Sequence, residues 1–174
     1  MRILGLTLSN DLKWRTNTEN MTMKAYGRLW MIKRLQKAGA NLEDLTDIYT
    51  KQVRSVLEFG VPVWNSGLNK EESSDIERVQ KAFLHIALGQ TYLSYEHALD
   101  VSKLETLESR RETLCINFAK KAAKHPKHSQ WFVESDPDAP DTRSIKLKYK
   151  TPLCRLSRFK KSPIPYLTSL LNNE

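Results

Sequence analysis

Tyr26, Trp30, Lys33 and Lys37 recur at steps of three and four, so a helix through them brings two aromatic rings and two ammonium groups onto one face. Rings stack on bases or sugars and ammonium groups pair with phosphates, so the chemistry open to this stripe is nucleic-acid recognition by charge and stacking. Rings packed on a second neighbour, with the lysines merely solvated, give the same pattern, and spacing does not separate the two. Arg155, Arg158, Lys160 and Lys161 gather four more cations near the C-terminal end. Arg110, Asn117, Lys121 and Lys124 form a polar stripe on another stretch, within which Arg110 and Lys121 are candidate phosphate contacts. Arg111 falls on the apolar side there and needs a buried acidic or carbonyl partner, or marks a binding edge. Arg78, Lys81 and His85 share a face away from Ile76 and Phe83, which a solvated surface explains equally well.

Chemistry of other kinds finds no framework. His125 and His128 stand at a metal-like spacing (HPKH), but Cys115 and Cys154 are too scattered to complete a zinc site, whose ligands usually pair twice at short spacing. Glu134, Asp136, Asp138 and Asp141 crowd into a Pro-rich stretch lacking the spacing and glycine of a calcium loop. There is no Gly-rich phosphate loop, no GxSxG and no HExxH. The reading expects no catalytic residue, no metal and no cofactor.

Charge is unevenly distributed. Lys and Arg total 28 against 20 Asp and Glu, a net +8, yet residues 142–174 hold eight basic residues and one acid, leaving the preceding 141 residues at about +1. A near-neutral body with a cationic tail suits a polyanionic partner, nucleic acid first, or else a solvated tail. The longest apolar run near the start, residues 3–8, is far shorter than the ~20 residues of a membrane span and resembles no signal peptide. With only two cysteines, the chain is expected inside the cell, nuclear or cytoplasmic, without a disulfide framework.

The elements that must position these residues are mostly helical. Residues 2–8 and 12–14, separated by Ser9, Asn10 and Asp11, predict a β-hairpin. Apolar spacing predicts helices over 17–37, 42–59, 69–88, a short one capped by Ser94, and one opened by Thr106 and stopped by Pro126. Asn41 is a candidate cap for the second, and Gly39, Gly60 and Gly89 are stops. Residues 126–150 read as a linker, and Pro165 as the start of a last turn or two. The fold expected is mainly α: a hairpin (1–14), an antiparallel helical bundle (15–125) and a basic, Pro-containing C-terminal tail (126–174).

Several strings resemble, in order and spacing, the region after the catalytic palm in non-LTR retrotransposon reverse transcriptases. They are LGLTLSNDLKW (4–14), RLWMIKRL (28–35), YTKQVRSVLEFGVPVWNSGL (49–68) and IERVQKAFLHIALG (76–89). SYEHALDVSKLETLESRRETLCINFAKKAAKHPKHSQWF (94–132) and SRFKKSPIPYLTSLLN (157–172) look like the continuation of the same elements. The family is an RNA-directed DNA polymerase whose two metal ions are held by palm carboxylates. This chain has no Asp-Asp pair. The resemblance therefore implies a palm-edge hairpin, a thumb and a C-terminal extension, with the palm supplied upstream or by another chain. A thumb holds template-primer duplex on a basic face through phosphates and the minor groove. The implied partners are RNA, DNA or an RNA–DNA hybrid, with no membrane.

Three roles follow from the sequence: a non-catalytic nucleic-acid-binding module, a truncated transposon product without autonomous function, or a helical interaction module presenting residues 61–68 with Trp64 to a protein. The missing carboxylate pair generates the first prediction. The purified chain gives no template-directed primer extension with magnesium or manganese; metal-dependent extension would overturn the reading.

Overall fold

The computed structural model describes residues 1–11, 13–135 and 147–173. It is mainly helical, with a short antiparallel hairpin at the N-terminus. The chain forms two compact units, one of residues Met1–Gly60 and Leu68–Arg110, the other of Val61–Gly67 and Arg111–Glu174.

In the first unit, β1 (Arg2–Ile3) pairs with β2 (Leu6–Thr7), so the hairpin reverses at Leu4 and Gly5 and not at Ser9, Asn10 and Asp11. Both turn residues have positive φ, +47° and +92°. Two positive values suit the right-handed twist of the strands, and Gly5 accepts its value without a Cβ penalty. Lys13 and Trp14 lie outside any strand, and Leu12 falls outside the described residues. The hairpin is seated on its own unit: Thr7 N donates to Asn17 Oδ1 at 3.0 Å, and Leu6 and Gly5 approach Gly60 and Phe59.

Helix α1 (Arg15–Lys37) buries Met21, Ala25, Leu29 and Ile32, a ridge at steps of three and four, against α5 (Lys70–Leu88) and the helical stretch 42–57. That stretch is α2 (Leu42–Ile48), a π-helical segment (Tyr49–Arg54) and α3 (Ser55–Leu57). It buries Leu45, Tyr49, Val53 and Leu57, while Ile48 and Val56 are half-buried. Steps of four drift by about 40° each around an α-helix of 3.6 residues per turn. The wider π-helical turn offsets that drift and keeps the four side chains inward.

Local bonds set the ends of these helices. Asn41 accepts from Asp44 N, Ser94 accepts from His97 N to open α6 (Tyr95–Ser102), and Asn69 forms a reciprocal capping box with Glu72 on α5. At the centre of the unit the Tyr49 and Phe83 rings stack with centroids 4.0 Å apart. Fully buried Gln80 satisfies three groups beside them. It accepts from Tyr49 Oη at 2.9 Å, and its Nε2 lies 3.1 Å from Tyr95 Oη and donates to Glu105 O at 2.8 Å.

The second unit contains α4 (Val61–Trp64), a 3-10 turn (Asn65–Gly67), most of α7 (Leu107–Lys124), α8 (Ser157–Lys160) and α9 (Pro163–Asn172). Within the stretch 61–68 that was expected to present Trp64, Val61 and Trp64 are fully buried and Val63 is 44% exposed. Pro62 sits within the first turn of α4, where its missing N–H costs nothing. Buried Arg111 finds the carbonyl partner its position demands: its Nε donates to Asn65 Oδ1 at 3.0 Å, and Asn65 Nδ2 donates to Tyr166 Oη at 3.1 Å. Burial pushes the neighbouring Cys115 thiol up to about 11.

Helix α9 is longer than expected and begins at Pro163 rather than Pro165, since proline needs no N–H partner in a first turn. The stretch read as a linker is partly core: Phe132 and Tyr149 are buried, and a bridge joins Glu134 to Tyr149. The rest of that linker, 136–146, falls outside the described residues.

The buried amide network generates a stability prediction. Gln80→Leu strands the Tyr49 hydroxyl and costs about 1–3 kcal/mol. Tyr49→Phe is then less costly in the Gln80→Leu background than alone, and a double-mutant cycle in urea measures the coupling. Strict additivity would contradict the network.

Candidate nucleic-acid interface

The apolar ridge of α1 turns the opposite face to solvent. Trp30 is 63% exposed and Tyr26 44%, so the Trp30 ring is not core. Its near neighbour is a cation, the Arg34 guanidinium, 4.7 Å from the ring centroid. Lys33 and Lys37 are exposed and form no ion pair with any described residue. Partial burial raises the Tyr26 phenol above its ordinary range. The four residues expected to share a face do share it, and Arg34 and 71%-exposed Met23 join them. Arg34 was legible as the residue one turn beyond Trp30, the distance at which helical side chains meet.

Gly27 lies at the edge of this face, beside Met23 and Arg34. Space around it is open, with no atom within 4 Å of where a Cβ would stand. A mid-helix glycine costs roughly 0.5–1 kcal/mol relative to alanine, and no packing inside the molecule requires it here. It leaves helix backbone uncovered between Met23 and Trp30.

Beside the first turns of α1 is a groove of about 790 Å³ between the hairpin, α1 and α3. Arg2, Lys24 and Arg28 supply its cations, Asn20 an amide and Phe59 a half-exposed ring, and no acidic side chain lines it. Arg28 donates to Gln52 O, which draws it toward the wall. The sequence concealed this site because its lining comes from three separated segments.

Arg110 is placed differently from the free lysines. Its Nε donates to Glu58 Oε1 at 2.9 Å, and Glu105 stands 3.6 Å from its second nitrogen. Glu58 also pairs with Arg54 at 3.2 Å. Two carboxylates therefore offset the Arg110 charge inside the first unit, and the Glu58 bond raises its guanidinium further above its ordinary range.

In the second unit Lys121, Arg155, Arg158, Lys160 and Lys161 are all exposed and form no ion pair among the described residues. Arg158 and Lys160 stand on the single turn of α8. Leu153, Leu156 and Phe159 are exposed in the same stretch, at 81%, 71% and 46%. Arg143 and Lys146 of the basic tail fall outside the described residues.

These features define a class at the level of chemistry: a helical protein with an aromatic and cationic helix face and a second set of free cations. Comparison with protein-family models, curated proteins and solved structures finds no match. Among the described residues no helix is long and apolar enough to cross a membrane, and no three His, Cys, Asp or Glu side chains group as metal ligands.

The open space at Gly27 yields a measurable consequence. Gly27→Ala raises folding stability by about 0.5–1 kcal/mol in urea denaturation. Destabilisation would mean that the position is packed.

Proposed function

We propose that the chain is a non-catalytic nucleic-acid-binding module derived from a retrotransposon reverse transcriptase, its helical bundle acting as a thumb on template-primer duplex. The exposed face of α1 supports this most directly. An indole left 63% in water, flanked by an arginine and two unpaired lysines, is costly surface with no use in folding. A duplex uses all of it. Lys33 and Lys37 meet phosphates, Trp30 and Tyr26 lie against sugars or bases, and Gly27 lets a strand approach the helix backbone.

The basic groove with Arg2, Lys24 and Arg28 adds a second positive surface on another side of α1. Arg155, Arg158, Lys160, Lys161 and Lys121 supply further phosphate contacts from the basic tail and α7. Arg110 acts instead as a brace between Glu58 and Glu105. Catalysis belongs to a palm on another segment or chain, because no Asp-Asp pair is present to hold two metal ions.

Binding to RNA–DNA hybrid is nearly sequence-independent and falls steeply with salt, with a log-log slope of about −3 to −5 for roughly four to six phosphate contacts. Lys33→Ala with Lys37→Ala lowers that slope by about 2. Trp30→Ala leaves the fold intact and weakens binding by about 1–3 kcal/mol with little change in slope. Gly27→Ala weakens binding while stabilising the fold. Hybrid affinity unchanged in all three variants would refute the reading.

A further inference from the structure

We propose that His125, His128 and Trp131 form a stacking platform for unpaired nucleotides, a single-strand contact distinct from the α1 face. The proposal rests on the nucleic-acid reading above and deepens it. The three rings follow one another at intervals of three residues beyond the end of α7. His125 and His128 have centroids 4.7 Å apart with planes at 26°, and His128 and Trp131 are 4.5 Å apart at 31°. They form a short column of rings, each within ring-contact range of the next, with a base able to add only at its ends.

The column is built in place and does not depend on a ligand for its shape. His128 N donates to His125 O at 2.9 Å, and Trp131 N donates to His128 O at 3.0 Å, which locks the rings onto one side of consecutive tight turns. Lys127 N donates to His125 Nδ1 at 3.2 Å, which ties the imidazole to the turn. Directly after the column, buried Phe132 meets Tyr149 edge to face at 6.2 Å. Tyr149 is clamped in turn by both of its backbone groups to the Asn172 side chain, at 2.9 and 3.0 Å. A platform already ordered loses little entropy on binding.

What would cover it is indicated by charge. Residues 113–133 contain no Asp or Glu, with Lys120, Lys121, Lys124 and Lys127 in and just before the stretch that bears the rings, and the next acid is Glu134. Lys121, Lys124 and Lys127 are exposed, as is His125, and Trp131 keeps 36% of its surface in water. A ligand matched to this surface is anionic at regular intervals and carries flat apolar rings between the charges. Single-stranded nucleic acid has that chemistry, and the match needs no base-specific hydrogen bond because every base has a π-face. An acidic peptide supplies the charge without the rings.

The experiment measures fluorescence anisotropy of the full chain with a labelled oligothymidylate and with an abasic strand of the same length. The wild-type chain prefers the strand with bases. Trp131→Ala reduces that preference by about 5- to 100-fold, the equivalent of one lost stacking contact, whereas Trp131→Phe retains most of it. His125→Ala, an exposed position, also lowers the preference and serves if Trp131→Ala fails to fold. Lys124→Ala with Lys127→Ala weakens both strands alike and flattens the salt dependence. Equal affinity for the two strands in the wild-type chain, or a preference that disappears in Trp30→Ala and survives in Trp131→Ala and His125→Ala, would overturn the proposal. Hybrid binding that responds to Lys33→Ala and Lys37→Ala would still stand in that case. Absence of binding to any nucleic acid defeats both.

Discussion

Burial of the α1 ridge is the constraint from which the rest of the first unit follows. Met21, Ala25, Leu29 and Ile32 can all face α5 and the 42–57 stretch only if α1 is held at one rotation about its axis. Successive residues differ by 100°, so that rotation decides where every other side chain on the helix points. Trp30, adjacent in sequence to buried Leu29, is carried outward by the burial of its neighbour. A large apolar ring is thereby held in water by the packing of the opposite face. Each CH₂ buried on the ridge contributes about 0.8 kcal/mol, so the whole ridge outweighs what withdrawing one indole would gain.

Polar groups finish what apolar packing begins. In the first unit Gln80 occupies a position that the helical pattern allots to the core, and it serves two tyrosine hydroxyls and a backbone carbonyl at once. In the second unit Asn65 has a parallel role between Arg111 and Tyr166. Both amides can donate and accept at one site, which a hydroxyl or a carboxylate does less completely. Among the described residues, Lys33, Lys37, Lys121, Arg155, Arg158, Lys160 and Lys161 stand by contrast at the surface, where solvation stabilises them.

Much of this architecture was legible in the residues. Asn41 and Ser94 mark helix starts because their side chains bond to amides only three residues ahead, and Gly39, Gly60 and Gly89 mark stops because each adopts a positive φ. The face shared by Tyr26, Trp30, Lys33 and Lys37 was legible for the same reason of locality. What stayed hidden depends on residues far apart in the chain. Trp64 looks like a loop aromatic until α9 and the turn at Asn65 pack around it. Arg110 reads as one more free cation until the fold brings up Glu58 from 52 positions away. The HPKH string invites thoughts of metal, and it is the fold that stacks His128 on His125 and tilts it against Trp131. The hairpin turn was misplaced because Ser9, Asn10 and Asp11 are stronger turn formers by type than Leu4, whose positive φ is uncommon for a branched side chain.

Neither compact unit is a continuous piece of chain. The first resumes after a detour through Val61–Gly67, and the second begins with that detour and is completed only from Arg111 onward. Adjacent residues Arg110 and Arg111 thus belong to different units although one helix contains both. No single cut in the polypeptide therefore releases a complete unit. A chain ending after Arg110 keeps Val61 and Trp64 but loses α9, and with it the surface that hides their side chains. Such a piece would be sticky rather than simply smaller. Recombination that shuffles segments end to end can pass these two units on only as an inseparable pair.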